Sequence, residues 1–159
     1  MIRKAKANEL KDILIIANRA KENMLNNNLK QWVGNYPNLN VFKIDLNLNG
    51  LYVYLKDKKI IASISILKEN DQPYKAIDWY SNNSLVIHRI LVDPLYQHKG
   101  IGRALFKKAI ELSKNGNYKS LKVDTHPENL KMQNLIKAMG FKYKGYLESI
   151  NRLAYELIV

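Results

Sequence analysis

Apolar positions along the chain change period several times, and each change marks an element. Leu10, Ile13, Leu14, Ala17 and Ala20 recur at helical spacing, which predicts an amphipathic helix over residues 7–26 with Asn8 as its N-cap. Residues 2–6 have the length of a short strand. Val41, Ile44, Asp45 and Leu48 set a second helix, capped by Asn38 and stopped by Asn49-Gly50. Residues 51–55 and 60–67 read as a hairpin around the charged turn 56–59. In its second strand Ala62, Ile64 and Ile66 alternate with Ser63 and Ser65. Residues 68–83 form a long loop carrying Tyr74, Trp79 and Tyr80. Residues 84–92 are a strongly apolar strand, closed by Asp93-Pro94. Helix 102–114, strand 121–125, helix 130–139 and strands 141–147 and 150–158 complete the chain. The order β-α-α-β-β-β-α-β-α-β-β gives an α+β protein, mixed α/β layers around one sheet.

No repeat, low-complexity tract or linker interrupts this order, so residues 1–159 are expected to form a single domain. The absence of cysteine excludes a disulfide framework, a Cys-ligated zinc site, an iron–sulfur cluster and a thiol nucleophile. It suits a reducing compartment, and the expected location is cytoplasmic. Residues 1–9 hold no apolar signal core, and no apolar run approaches the ~20 residues of a membrane span, so no membrane partner is expected.

The 26 Lys+Arg against 14 Asp+Glu give a net charge of +12. Such an excess suits nucleic acid, a membrane surface or an anionic small molecule. Only Arg3, Arg19, Arg89, Arg103 and Arg152 are arginines, and nucleic-acid surfaces favour Arg for its planar fork. Composition therefore counts against a dedicated nucleic-acid role. An anionic small molecule has a specific landing place. Gly100 and Gly102 remove side chains where a helix begins, which lets a ligand approach the first N–H groups of that helix. The helix dipole, Lys99 and Arg103 add positive charge. This is an arrangement for phosphate. A plain strand-to-helix connection with crowding relieved by glycine is the alternative. The loop is not a P-loop, since no Gly-Lys-Ser/Thr follows, and the dinucleotide pattern GxGxxG breaks at Leu105.

Gln97-x-x-Gly100-x-Gly102, after an apolar strand ending in Val92-Asp93-Pro94, resembles the Q/R-x-x-G-x-G/A motif of the GNAT N-acetyltransferase superfamily. Asn129, followed eleven residues later by Gly140-Phe141, is similar to that family's second motif. The resemblance spans essentially the whole chain. It implies the acyl-CoA N-acyltransferase fold, a mixed, mostly antiparallel sheet of seven strands flanked by four helices. It also implies acetyl-CoA as acetyl donor and no metal. Ile90, Leu91 and Val92 would then offer backbone groups to the pantetheine arm. Gln97, His98, Lys99, Gly100, Ile101 and Gly102 would wrap the pyrophosphate, and Arg103 would reach the same phosphates. Asn129 would hydrogen-bond the pantetheine, cap the following helix, or both.

The expected activity is direct acetyl transfer to a primary amine of a small molecule or peptide, which needs a base. His88 is the leading candidate, placed on one strand face with Val86 and Ile90 by period-two alternation. The alternative is a partly buried histidine that orders Arg89 or a loop. Asp124 and His126, at a strand end, are the second option, although Asp124 equally suits a helix cap or a lysine partner. Many family members carry a proton-donating Tyr seven residues after the Asn, and here that position is Ile136. Tyr143 and Tyr146 are weak substitutes, and the departure also admits a non-catalytic acyl-CoA-binding or sensor module. Trp32, Tyr36 and Trp79 are candidate acceptor contacts, as aromatic walls or by cation–π contact, with a core plug as the alternative for Trp32. The apolar last strand, taken as a sheet edge, suggests pairing across a homodimer.

Overall fold

The computed structural model describes residues 1–159. Its elements are β1 (Ile2–Lys4), α1 (Leu10–Asn26), α2 (Leu39–Asn47), β2 (Leu51–Lys56), β3 (Lys59–Lys68), β4 (Ser84–Val92), α3 (Ile101–Asn115), β5 (Ser120–Thr125), α4 (Leu130–Ala138), β6 (Lys142–Leu147) and β7 (Arg152–Ile158). The order is the one the hydrophobic pattern predicts. The strands hydrogen-bond in the order β1-β2-β3-β4-β5-β7-β6, a seven-stranded mixed sheet. The β4/β5 pair is parallel, whereas β1/β2, β2/β3, β5/β7 and β6/β7 are antiparallel. The chain divides into two compact units, Met1–Leu67 with His88–Leu105 and Lys68–Ile87 with Phe106–Val159.

In the first unit the apolar stripe of α1 is its buried face: Ile13, Ile16, Ala17 and Ala20. It joins Phe42 of α2, Leu51 and Val53 of β2 and Leu91 of β4 in one core. Each large side chain buried this way contributes about 1.5–3 kcal/mol. The entry to α1 differs from expectation. Ala7–Glu9 form a 3-10 turn, and Glu9, not Asn8, closes the helix start. Its carboxylate accepts the Lys6 N–H at 2.8 Å and pairs with Arg3 at 2.6 Å, so Arg3 holds the capping group in place. Asn38 caps α2 as predicted, its Oδ1 accepting from the Val41 N–H at 3.0 Å.

In the second unit the first half of β4 runs beside β5, from Ser84 opposite Ser120 to Ile87 opposite Val123. The last strand is not an edge. β7 pairs with β5 on one side and β6 on the other, and β6 is the outer strand. Its apolar character is that of an interior strand, which removes the reason given above for pairing across a dimer. Phe106 of α3 and Phe141 meet edge to face at 5.7 Å. Tyr74, Val86, Leu147 and Ala154 form a separate cluster, with Ile77 and Trp79 packed on it. No helix is long and apolar enough to cross a membrane.

Candidate active site

In the first unit, β4 is not a regular strand. Arg89, in its middle, has φ +44, a left-handed conformation that side-chain-bearing residues rarely adopt. An extended strand cannot keep its two-residue period through such a residue. The alternation that set His88 on the face of Val86 and Ile90 is therefore broken at Arg89. His88 is half-buried, Leu91 is buried, and Ile90 and Val92 are half-buried.

Asp45 of α2 anchors the Arg89 side chain. Arg89 Nε donates to Oδ2 at 2.5 Å and Nη2 to Oδ1 at 2.7 Å. Ser65 Oγ donates to the same Oδ2 at 2.6 Å, and Arg89 Nη1 donates to the Tyr36 hydroxyl at 3.1 Å. The Asp45 side chain is only 1% exposed. Burial is the largest single influence on the Arg89 pKa and lowers it, but Asp45 and Tyr36 together outweigh it, and the pKa is raised. Sequence reasoning did not single out Asp45. The stripe expected for α2 does not hold, since Ile44 and Leu48 are exposed; its buried face is Phe42 and Asp45, and a carboxylate on a buried face needs a partner. Tyr36 belongs to this polar cluster through its hydroxyl. Trp32 is the core plug: it is 7% exposed and packed with Ile13 and Ala17.

After β4 the chain turns on Asp93. Its Oδ1 accepts from the Leu95 N–H at 3.1 Å and its Oδ2 pairs with Arg19 at 3.1 Å. Its own N–H donates to Ile61 O at 2.8 Å. The loop then passes through two left-handed residues, His98 at φ +62 and Gly100 at φ +75, straight into α3. The first bond within the helix runs from the Ala104 N–H to Gly100 O, so the Ile101 and Gly102 amides precede it. A chain curled this way into a helix start gathers backbone N–H donors in a short arc. A side chain at Gly100 would meet no atom of the protein within 4 Å, so its approach is open. His98, Lys99 and Arg103 are exposed, Gln97 and Gly102 half-buried and Ile101 buried. Lys99 and Lys56 both stand over the Tyr96 ring, at 5.6 and 5.7 Å.

In the second unit, Asp124 is tied to a tyrosine and an arginine. Its Oδ2 accepts from the Tyr74 hydroxyl at 2.6 Å, and Arg152 Nε stands 3.9 Å from Oδ1. Tyr74 is 1% exposed, and its phenol pKa is raised well above the ordinary value by burial and then by the Asp124 charge. His126 Nδ1 accepts from the Glu128 N–H at 3.1 Å. Its pKa is lowered by burial and by nearby Arg152. With the Nδ1 lone pair occupied, a neutral ring carries its proton on Nε2 and offers a donor there, which weakens His126 as a base. Asn129 caps α4, its Oδ1 accepting from the Met132 N–H at 3.1 Å.

Ile136, at the position where the resembling family's pattern has a tyrosine, is fully buried. Tyr143 is half exposed and rests edge-on against Tyr155, while the Tyr146 hydroxyl bonds Asn151 Oδ1 at 2.6 Å. Trp79 does face a cation, but an internal one. The Lys122 ammonium lies 4.5 Å from its ring centroid, and its indole N–H donates to Tyr74 O at 2.7 Å. Tyr74, Lys122 and Arg152 were not foreseen as site residues. Of these, only Lys122, a lysine inside an apolar strand, left a mark in the pattern.

Comparison with known proteins follows the same lines. Residues 19–141 match the model of the Acetyltransferase (GNAT) family. The fold is similar to that of a GNAT-family acetyltransferase of Streptococcus agalactiae, with a TM-score of 0.89, 24% identity and coverage of 100% of this chain and 95% of that one. A putative acetyltransferase of Staphylococcus aureus is 29% identical, with a TM-score of 0.78 and coverage of 99% and 98%. An uncharacterized N-acetyltransferase of Methanocaldococcus jannaschii is 33% identical over 84 residues, 48% of this chain and 37% of that protein. The chain thus spans little more than a third of that curated relative's length.

Proposed function

The chain belongs to the Acetyltransferase (GNAT) family, and on that premise we propose that it is an acetyl-CoA-dependent N-acetyltransferase acting on a primary amine. The observation that carries this reading is the passage through His98 and Gly100 into α3, inside the Gln97-x-x-Gly100-x-Gly102 pattern. The open approach to Gly100, with Lys99 and Arg103 exposed beside it, fits a diphosphate. Gln97 through Gly102 would hold the pyrophosphate and Arg103 would add charge. Ile90, Leu91 and Val92 would offer backbone groups to the pantetheine, and Asn129 would add a side-chain contact. Acetyl-CoA supplies the thioester.

In the transfer, a carbon–nitrogen bond forms as the carbon–sulfur bond breaks, and the amine gives up a proton. His88 is the proposed acceptor of that proton, with Asp124 second, held in place by the Tyr74 hydroxyl. No tyrosine stands at position 136 to protonate the departing sulfur. A thiol titrates near ~8.5, so water suffices for that step. Homodimer formation and a cytoplasmic location belong to the same proposal as family analogies.

A melting experiment with acetyl-CoA tests the binding half. A ligand of the native state adds about 2.7 kcal/mol at a hundredfold excess over Kd. Thiol release across a panel of primary amines tests the catalytic half. Absence of stabilisation rejects the reading. Stabilisation without thiol release favours instead a non-catalytic acyl-CoA sensor, the reading that the buried Ile136 supports.

A further inference from the structure

Arg89 commits only part of its donor set inside the protein. A guanidinium has five N–H groups. Nε and Nη2 grip the two oxygens of Asp45, and Nη1 donates to the Tyr36 hydroxyl. One N–H on Nη1 and one on Nη2 remain. The Tyr36 oxygen accepts from Arg89, so its own O–H is still to be donated, 3.1 Å from Nη1.

The two sides of this group differ. The Asp45 side is sealed, with its carboxylate 1% exposed and further bonded by Ser65. The Tyr36 side is open, with Tyr36 37% exposed and the Arg89 side chain 14%. The backbone adds an independent observation. Arg89 holds φ +44 within a strand, a conformation that persists only where the surroundings impose it and that gathers at ligand-binding positions. With the Nε/Nη2 edge fixed on Asp45, the remaining N–H groups lie off that edge, on the two terminal nitrogens.

We propose that Arg89 and Tyr36 form a specificity-determining pair that binds a carboxylate on the acyl acceptor, making the acceptor an amine that also carries a carboxylate, as a free amino acid does. A carboxylate offers two acceptor oxygens in one plane and matches the remaining N–H groups and the phenol O–H. A neutral amide offers one acceptor oxygen and no charge. This inference rests on the acetyl-transfer reading above, because it names that reaction's substrate.

The test compares matched acceptors, free α-amino acids against the same residues as C-terminal amides, with the full chain and saturating acetyl-CoA. The wild type should prefer the carboxylates by at least about tenfold in kcat/KM. Arg89→Lys keeps the charge, loses the planar fork and should bring the ratio close to one. Tyr36→Phe leaves the Arg89–Asp45 pair intact and should cut the ratio by about threefold or more. It also keeps the test open should Arg89→Lys not fold. A merely structural role for the pair would change stability but not the ratio.

Equal rates for the two series, a preference that survives both substitutions, or no transfer to either series overturns the inference. Melting with acetyl-CoA on the same samples separates this failure from the larger one. If acetyl-CoA gives no stabilisation, the acetyltransferase reading falls too. If it stabilises and thiol is released to amines without regard to the carboxylate, only the specificity assignment falls.

Discussion

The Tyr74 phenol and the His126 imidazole are both biased toward their neutral forms, and each bias has a pH signature. Tyr74 is buried, and its hydroxyl donates to the Asp124 carboxylate, so ionising it would set two negative charges together. Its folded pKa is raised above the unfolded value of about 10. Its contribution is therefore fully present below about pH 10 and is lost as pH climbs toward the folded pKa. Wild type should lose stability above about pH 10, and Tyr74→Phe should flatten that alkaline limb. The check is the urea midpoint of both proteins from neutral to strongly alkaline pH. An equally steep limb in the variant would show that Tyr74 is not its source. His126 shifts the other way. Burial and Arg152 lower its pKa, so the unfolded chain takes up the proton first and stability falls as pH drops below about 6.5. The His126 ring resonances should titrate with a midpoint below about 6.5, and a midpoint above it would contradict the packing described.

At the scale of elements, the loop into α3 depends on a conformation that only one of its residues adopts without strain. Gly100 sits at φ +75 with open space where a side chain would go. Gly100→Val therefore clashes with nothing internal, but a β-branched residue at that φ is strained by about 1–3 kcal/mol, and its side chain would stand in the path to the amides. Expected are a modest loss of melting temperature and at least about a tenfold loss of acetyl-CoA affinity, read by calorimetry. Undiminished affinity in a folded Gly100→Val would move the phosphate site elsewhere. This loop was legible in the sequence because glycine spacing is a backbone signal. So were α1, whose buried face follows the apolar period, and the Asn38 and Asn129 caps, whereas in α2 the expected stripe fails, because Ile44 and Leu48 are exposed and Phe42 with Asp45 is the buried face. The start of α1 was less so, because Arg3 fixes Glu9 from another element. The position of β7 was illegible, since an apolar strand reads alike whether it ends a sheet or is inserted between two others. The Asp45–Arg89 pair spans 44 residues of sequence, and no local pattern reports a contact made across that distance.

For the whole molecule, the net charge of +12 is a statement about encounter more than about the fold. In the proposed function, fixed donors in the Gln97–Gly102 loop would act at contact distance, whereas the surplus lysines would act through a field that salt screens over about 10 Å at 0.1 M. The two contributions therefore separate experimentally. Raising ionic strength from about 0.05 to 0.5 M should slow association of acetyl-CoA several-fold, while dissociation changes far less. Stopped-flow measurements across that range give both constants. A dissociation rate that rises as steeply as association falls would put the charge in the bound contacts instead. An association rate indifferent to salt would leave the lysine surplus without a part in recognition. Lys56 and Lys99 are the natural pair to neutralise in the same experiment, because they share the Tyr96 ring beside the loop. Replacing both with glutamine should remove part of the salt dependence and leave the loop's backbone donors untouched. A double variant with the wild-type salt slope would assign the steering to lysines distributed over the rest of the chain.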